Sequence, residues 1–292
     1  MRLLVPFWSG AGVCARVGGG RAHALWRTTT TTTTGAQTNS MARPAAIAIR
    51  ACPVSSTAAD WIAASPPPED VDPESGKRLS SSIERPRIRQ HVNPLSRRFQ
   101  TPVPIAPNWP ELAYERPQAP LLVDVGAAHG AFLLRMAQLA PDMNFLGLEI
   151  RAPLVEFAAA RAQRLGLSGR LHYIACNANV QLEEILSCYR SGPIVSLCIH
   201  FPDPYFKKRQ HKRRIVQPEL VAAIARCLRS GGELFVQSDV AEAAQHLTEV
   251  IEASGEFVGG AVDCSAYPVP TEREVASAAM GRPVYRALYR RK

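Results

Sequence analysis

The first 59 residues contain no acidic side chain at all. Six arginines (Arg2, Arg16, Arg21, Arg27, Arg43 and Arg50) stand there unopposed. They supply most of the net charge of +9, so the basic total is no argument for a polyanionic partner; only local clustering can carry that. The seven cysteines include no CxxC pair and no Cys/His group at metal-ligand spacing, which argues against a structural zinc. Cys14 and Cys52 lie early in the chain. The other five (Cys176, Cys188, Cys198, Cys227, Cys264) read as small buried or semi-buried side chains in a reducing compartment. No apolar run approaches the ~20 residues that cross a bilayer, so no membrane association is expected. Only 20% of residues are charged against 46% hydrophobic, a balance that suits a globular core.

What is present divides the chain in three. Residues 1–82 hold Thr28 to Thr34, three glycines at 18–20, Pro66 to Pro68 and Ser80 to Ser82, with arginine and no early acid. That composition predicts a disordered, transit-peptide-like leader and organellar delivery, with the chloroplast favoured over the mitochondrion. A secretory signal fits less well, because Pro6 and Gly10 interrupt the apolar stretch that begins at Leu3. Residues 83–120 form a proline-rich arm carrying Arg85, Arg87, Arg89, Arg97 and Arg98, expected to pack along the main domain.

From Leu121 the pattern becomes periodic. Apolar runs of strand length occupy 121–126, 145–150, 171–176, 194–201 and 233–237. Helical patterns fill 131–139, 153–165, 181–188, 218–228 and 241–253. Strands alternating with helices imply right-handed crossovers and a parallel sheet. Residues 284–291 read as one more strand, with parallel and antiparallel placements both open. The fold expected for 121–292 is therefore α/β, doubly wound and Rossmann-like, with a mostly parallel sheet.

Two constellations carry chemistry. Asp124-Val125-Gly126-Ala127-Ala128-His129-Gly130 closes the first strand and opens the first helix, and Glu149 ends the second strand. Glycines there let the backbone approach a ligand, and a strand-end carboxylate can accept from ribose hydroxyls. A dinucleotide site wants G-x-G-x-x-G, which is missing. S-adenosylmethionine carries no phosphate and suits D-x-G-x-x-x-G better, with Asn177 at the end of the third strand approaching the adenine. The second constellation is Phe201-Pro202-Asp203-Pro204 followed by six cations between Lys207 and Arg214. Proline fixes its own φ and restricts the residue before it, so the Asp203 backbone has little freedom. A held carboxylate beside a dense basic run points to chemistry on a nucleic acid. Arg213 and Arg214 could instead pair with internal acids such as Glu219.

With these residues placed, residues 85–292 resemble the tRNA (guanine-N7)-methyltransferase family of the single-subunit bacterial type. FPDPYFKKRQHKRRIVQP (201–218) is similar to the signature FPDP-x-x-K-x-x-H-x-K-R-R. LGLEIR (146–151), the Gly-Gly-Glu turn at Gly231 and VQSD ending at Asp239 resemble the family too. RIRQHVNPLS (87–96) and TERE (271–274) look like its plant and algal organellar branch. The resemblance implies a class I S-adenosylmethionine-dependent enzyme acting on tRNA as a monomer or homodimer. It implies Asp203 as the catalytic carboxylate and Asp124, Gly126, Glu149, Arg151, Asn177 and Ala178 around the cofactor. Lys207, Asp239, Thr271 and Glu274 would then face the target guanosine of the variable loop. Two departures stand out: Ala128 replaces a glycine or cysteine, and TERE replaces the bacterial TKFE. The second leaves the division of labour between Glu272 and Glu274 open. A methyltransferase for another base and a non-catalytic RNA-binding relative are the alternatives.

Overall fold

Strands β2 (Leu121–Val125) and β3 (Asn144–Glu149) are buried along their whole length, as central strands covered on both faces must be. The structure, a computed structural model, describes residues 51–52, 85–88 and 91–292, within the unit Ile47–Lys292. Apart from 51–52, the expected leader lies outside the described residues, as does its boundary near Ile83. Around the central pair stand β4 (Leu171–Ala175), β5 (Ile194–His200), β6 (Glu233–Ser238) and β8 (Val284–Arg291), in the order β4-β3-β2-β5-β6-β8. β2 to β6 run parallel, and β8 is antiparallel to β6. The short strands β1 (Ala51–Cys52) and β7 (Phe257–Ala261) both pair with β8.

Period-two alternation sends successive side chains to opposite faces. Val123 and Val125 join one core with Leu182, Ile185 and Ile224, whereas Leu122 joins the other with Phe132, Leu133 and Tyr173. Helices α5 (Ala178–Ser187), α6 (Pro218–Cys227) and α7 (Ala241–Ala253) contribute to the first core. Helices α3 (Ala131–Leu139) and α4 (Ala152–Arg164) contribute to the second. Each fully buried leucine or phenylalanine in these layers contributes roughly 1.5–3 kcal/mol relative to exposure. The doubly wound sheet expected from the alternation is the fold. Among the described residues, no helix is long and apolar enough to cross a membrane.

Three details differ from the expectation. α5 starts at Ala178 rather than 181, because the Asn177 side chain accepts from the Asn179 N–H at 3.2 Å and caps the helix early. β7 and α8 (Glu272–Ala279) occupy a stretch with no clear sequence period. Cys264 is exposed, not semi-buried, because it lies in the irregular connection between those two elements; Cys176 and Cys198 are buried as expected.

The arm is fastened to the sheet. It contains two short helices, α1 (Arg97–Gln100) and α2 (Trp109–Ala113). Gln181 on α5 bonds both the N–H and the carbonyl of Val103, at 2.7 and 2.8 Å. Trp109 is buried, stacks on His172 with ring centres 5.7 Å apart and donates its indole N–H to the Ile185 carbonyl at 3.0 Å.

Candidate active site

The chain winds away from β2 in both directions, and ligands of open α/β sheets bind beyond the strand ends at such a switch point. The ends of β2 and β5 open onto two cavities there. The first holds about 160 Å³. Gly126, Glu149, Arg151, Asn177 and Ala178 line it, five of the six residues expected around a cofactor. The second, about 650 Å³ by the same measure, is lined by the sixth, Asp124, together with Asp239 and Thr271. Asp203 lines both. Lys207 and Glu274 line neither.

The Asp203 loop is held under backbone strain. Phe201 and Tyr205, at either end of Pro202-Asp203-Pro204, adopt left-handed φ values of 47° and 42°. Such residues cost on the order of 1–3 kcal/mol each and persist only where the surroundings enforce them. Arg214 does part of that enforcing. Its buried guanidinium donates to the Pro204 carbonyl at 2.8 Å and to the Glu242 carboxylate at 2.5 Å. Its acidic partner is thus Glu242 of α7 rather than Glu219, and Arg214 is a strut under the loop rather than a phosphate contact. Lys207, Lys208, Arg209 and Lys212 are exposed along the 3₁₀ turn Lys208–Arg213 and its start, while Arg213 lines the first cavity.

Glu149 is buried and its carboxylate is already well supplied. It accepts from the Ala128 N–H at 3.0 Å, the Arg151 N–H at 3.0 Å and two guanidinium nitrogens of Arg151 at 2.8 and 3.2 Å. Four donors match the roughly four acceptor positions of a carboxylate. A ribose diol at Glu149 therefore has to take the place of Arg151 contacts. Ala128 delivers its N–H from a left-handed conformation, φ 48°, which explains why a glycine would be at ease there. Gly126, at φ 89°, has no atom within 4 Å of where a Cβ would stand, leaving a free cradle at the cavity wall.

Residues 118–287 match a protein family described as "Putative methyltransferase". The tRNA (guanine-N(7)-)-methyltransferase of Thermosynechococcus vestitus is 48% identical over 208 residues, 70% of this chain and 95% of that protein. The enzyme of the same name from Trichormus variabilis is 47% identical over 216 residues, 72% of this chain and 99% of that one. The chain belongs to the tRNA (guanine-N7)-methyltransferase family. Among solved structures, the aminoglycoside resistance methyltransferase NpmB1 shares 18% identity, covers 63% of this chain and 91% of its own, and superposes with a TM-score of 0.44.

Membership of this methyltransferase family makes S-adenosylmethionine the methyl donor, and the lining of the first cavity fits it: the free space at Gly126 and the acid of Glu149. On the other side of Asp203, the Asp239 carboxylate is held through Oδ2 by Arg273 at 2.7 Å and by the Ser277 hydroxyl at 2.9 Å. Thr271 and Glu274 form a reciprocal capping box at the start of α8. Glu274 also meets Arg286 of β8 at 2.6 Å, both side chains being buried. Its carboxylate is thereby turned away from the cavity that Thr271 lines. Arg273 and Arg282 line that cavity without having been singled out in the sequence, where isolated arginines carry no local signal.

Below the cofactor loop, Asp124, Cys198 and His200 converge, with one possible ligand atom from each within 4.8 Å of the others. The Cys198 thiol bonds Asp124 at 3.5 Å, an arrangement that keeps the proton a cation would have to displace. Burial pushes the Asp124 carboxyl up to about 7; the thiol bond opposes this and the Glu149 charge adds to it. The folded protein thus holds a proton between about pH 4 and pH 7 that the unfolded chain releases, so this group's contribution to stability falls as pH rises through that window. Asp124→Asn, which cannot titrate, should gain on the wild type by about 1 kcal/mol per pH unit across it. Urea unfolding of both proteins at pH 4.5, about 5.5 and about 6.5 checks this, and a constant gap would mean that Asp124 does not change charge there.

Proposed function

We propose that this enzyme transfers a methyl group from S-adenosylmethionine to N7 of a guanosine in the variable loop of tRNA. The observation that carries the proposal is the place of Asp203, on a proline-locked loop where the two cavities meet. The relatives named above act, by their names, on guanine N7 of tRNA, and the exposed cations from Lys207 to Lys212 support the same substrate here.

When bound, S-adenosylmethionine supplies an electrophilic methyl group. Guanine N7 is an exposed lone pair on the major-groove edge and needs no deprotonation, so the site requires no strong general base. It has to align the base and to compensate the positive charge that arrives on the purine. Asp203 serves both needs: its carboxylate accepts from the N1–H and N2–H₂ edge and sets a negative charge near the ring. Glu149 and Asn177 hold the cofactor side, Asp239 and Thr271 wall the base side, and the exposed cations meet backbone phosphates.

The test uses methyl-labelled S-adenosylmethionine and two tRNA transcripts that differ only in the variable-loop guanosine, which in one is 7-deazaguanosine. Label on the first and none on the second is expected. Equal labelling of both would remove the guanine-N7 assignment. We further propose delivery to a plastid, which the acid-free first 59 residues and the cyanobacterial relatives support; a fluorescent reporter fused to residues 1–82 tests it.

A further inference from the structure

The geometry points to His91, on the arm, as the residue that positions Asp203 for the base. Its Nδ1 lies 3.0 Å from Asp203 Oδ1, across 112 positions of sequence. An ionised carboxylate only accepts, so the ring tautomer that makes this bond carries its proton on Nδ1. Among the described residues, no other side chain is seen to hydrogen-bond the Asp203 carboxylate. The two prolines and the strained residues beside them fix the Asp203 backbone but not its side-chain torsions. At 39% exposure, that carboxylate would turn freely in water without a partner. One bond to Oδ1 stops the rotation and leaves Oδ2 to the incoming base.

The arm is built to deliver this ring. On one side of His91 the Tyr205 hydroxyl donates to the Val92 carbonyl at 2.9 Å, tying the arm to the loop that carries Asp203. Further on, the Asn177 amide donates to the carbonyls of Pro94 and Phe99 at 3.3 and 3.2 Å, tying it to the cofactor side. Val92 and Pro94 consequently wall the first cavity while His91 walls the second. The second cavity remains open beside the pair, so His91 stands as a wall and not as a plug. A side chain on a segment tied down immediately after it can orient its neighbour with little loss of its own freedom at the moment of reaction.

The inference rests on Asp203 being the reacting carboxylate, and a double-mutant cycle separates the two. In single-turnover assays with tRNA and labelled cofactor, His91→Ala should slow methyl transfer about tenfold, within the range of coupled neighbours, and leave tRNA and cofactor affinities nearly unchanged. His91→Asn, which offers an amide N–H near the same place, should recover part of the rate. In an Asp203→Ala background, His91→Ala should cost nothing further, because the group it positions is gone. A full additional loss there would show that His91 acts elsewhere and would overturn the proposal. So would tighter tRNA binding with an unchanged rate, the signature of a displaced plug. Wild-type turnover in Asp203→Ala alone would overturn the role of Asp203 itself.

Discussion

Replacing Asp203 with asparagine should lower the methylation rate by about 10²- to 10³-fold, the usual loss when one preorganised electrostatic contact is removed from a reacting centre. Asparagine keeps the size, the strained loop and one acceptor oxygen, but it brings a donor where the guanine edge also donates, and it carries no charge. The cofactor side should hardly notice. Glu149 and Asn177 belong to strand ends that do not depend on the residue at 203, and the left-handed Phe201 and Tyr205 keep the loop in place. Dissociation constants for S-adenosylmethionine, measured by calorimetry on both proteins, should agree within about threefold, under 1 kcal/mol. Matching losses in rate and in cofactor affinity would mean that the substitution disturbs the whole loop, and the assignment of charge compensation to Asp203 would not survive that result.

Glu274→Ala should destabilise the fold by about 3–5 kcal/mol, since it strips a buried cation of its partner. Arg286 is buried in β8; among the described residues its Nε lacks a partner, and its other side-chain bond is a long 3.4 Å contact to the Val284 carbonyl. The same substitution removes half of the capping box with Thr271. Glu274→Gln, which preserves shape and can still accept from Arg286, should cost clearly less. Both variants would be compared by urea denaturation alongside methylation. A Glu274→Ala protein that unfolds at the wild-type midpoint yet fails to methylate would place this carboxylate at the substrate after all.

Much of the fold and part of the site were legible in the residues, for identifiable reasons. The parallel strands announce themselves as continuous apolar runs, and Asp203 through its prolines and the cations beyond it. The cofactor loop reads from glycines set between a strand and a helix, whereas their left-handed backbone is seen only in the fold. β7 was not legible because Phe-Val-Gly-Gly-Ala is short and half glycine-like; it exists as a strand because β8 offers it a partner. α8 was hidden for a different reason. Thr271-Glu272-Arg273-Glu274 is the T-x-x-E pattern of a capping box, and the same four letters resemble a substrate motif. Only the fold shows that Thr271 reaches the cavity while Glu274 turns to Arg286. Partners of long side chains were beyond reach altogether: nothing in the local sequence connects Arg214 to Glu242, or His91 to Asp203.

The placement of β8 has a consequence for how the molecule is made. β8 lies between β6 and β7 in the sheet, although β7 precedes it in the chain and β6 precedes both. During synthesis from the N-terminus, β6 therefore waits with a bare edge until the residues from 284 onward emerge, and β7 has no ladder to join before then. The wall of the second cavity formed by α8 is pinned by Arg286 and waits with them. An unpaired edge next to apolar strands is an invitation to wrong pairing, so this protein's need for chaperone cover should be greatest once β6 is out and the residues after it are still on the ribosome.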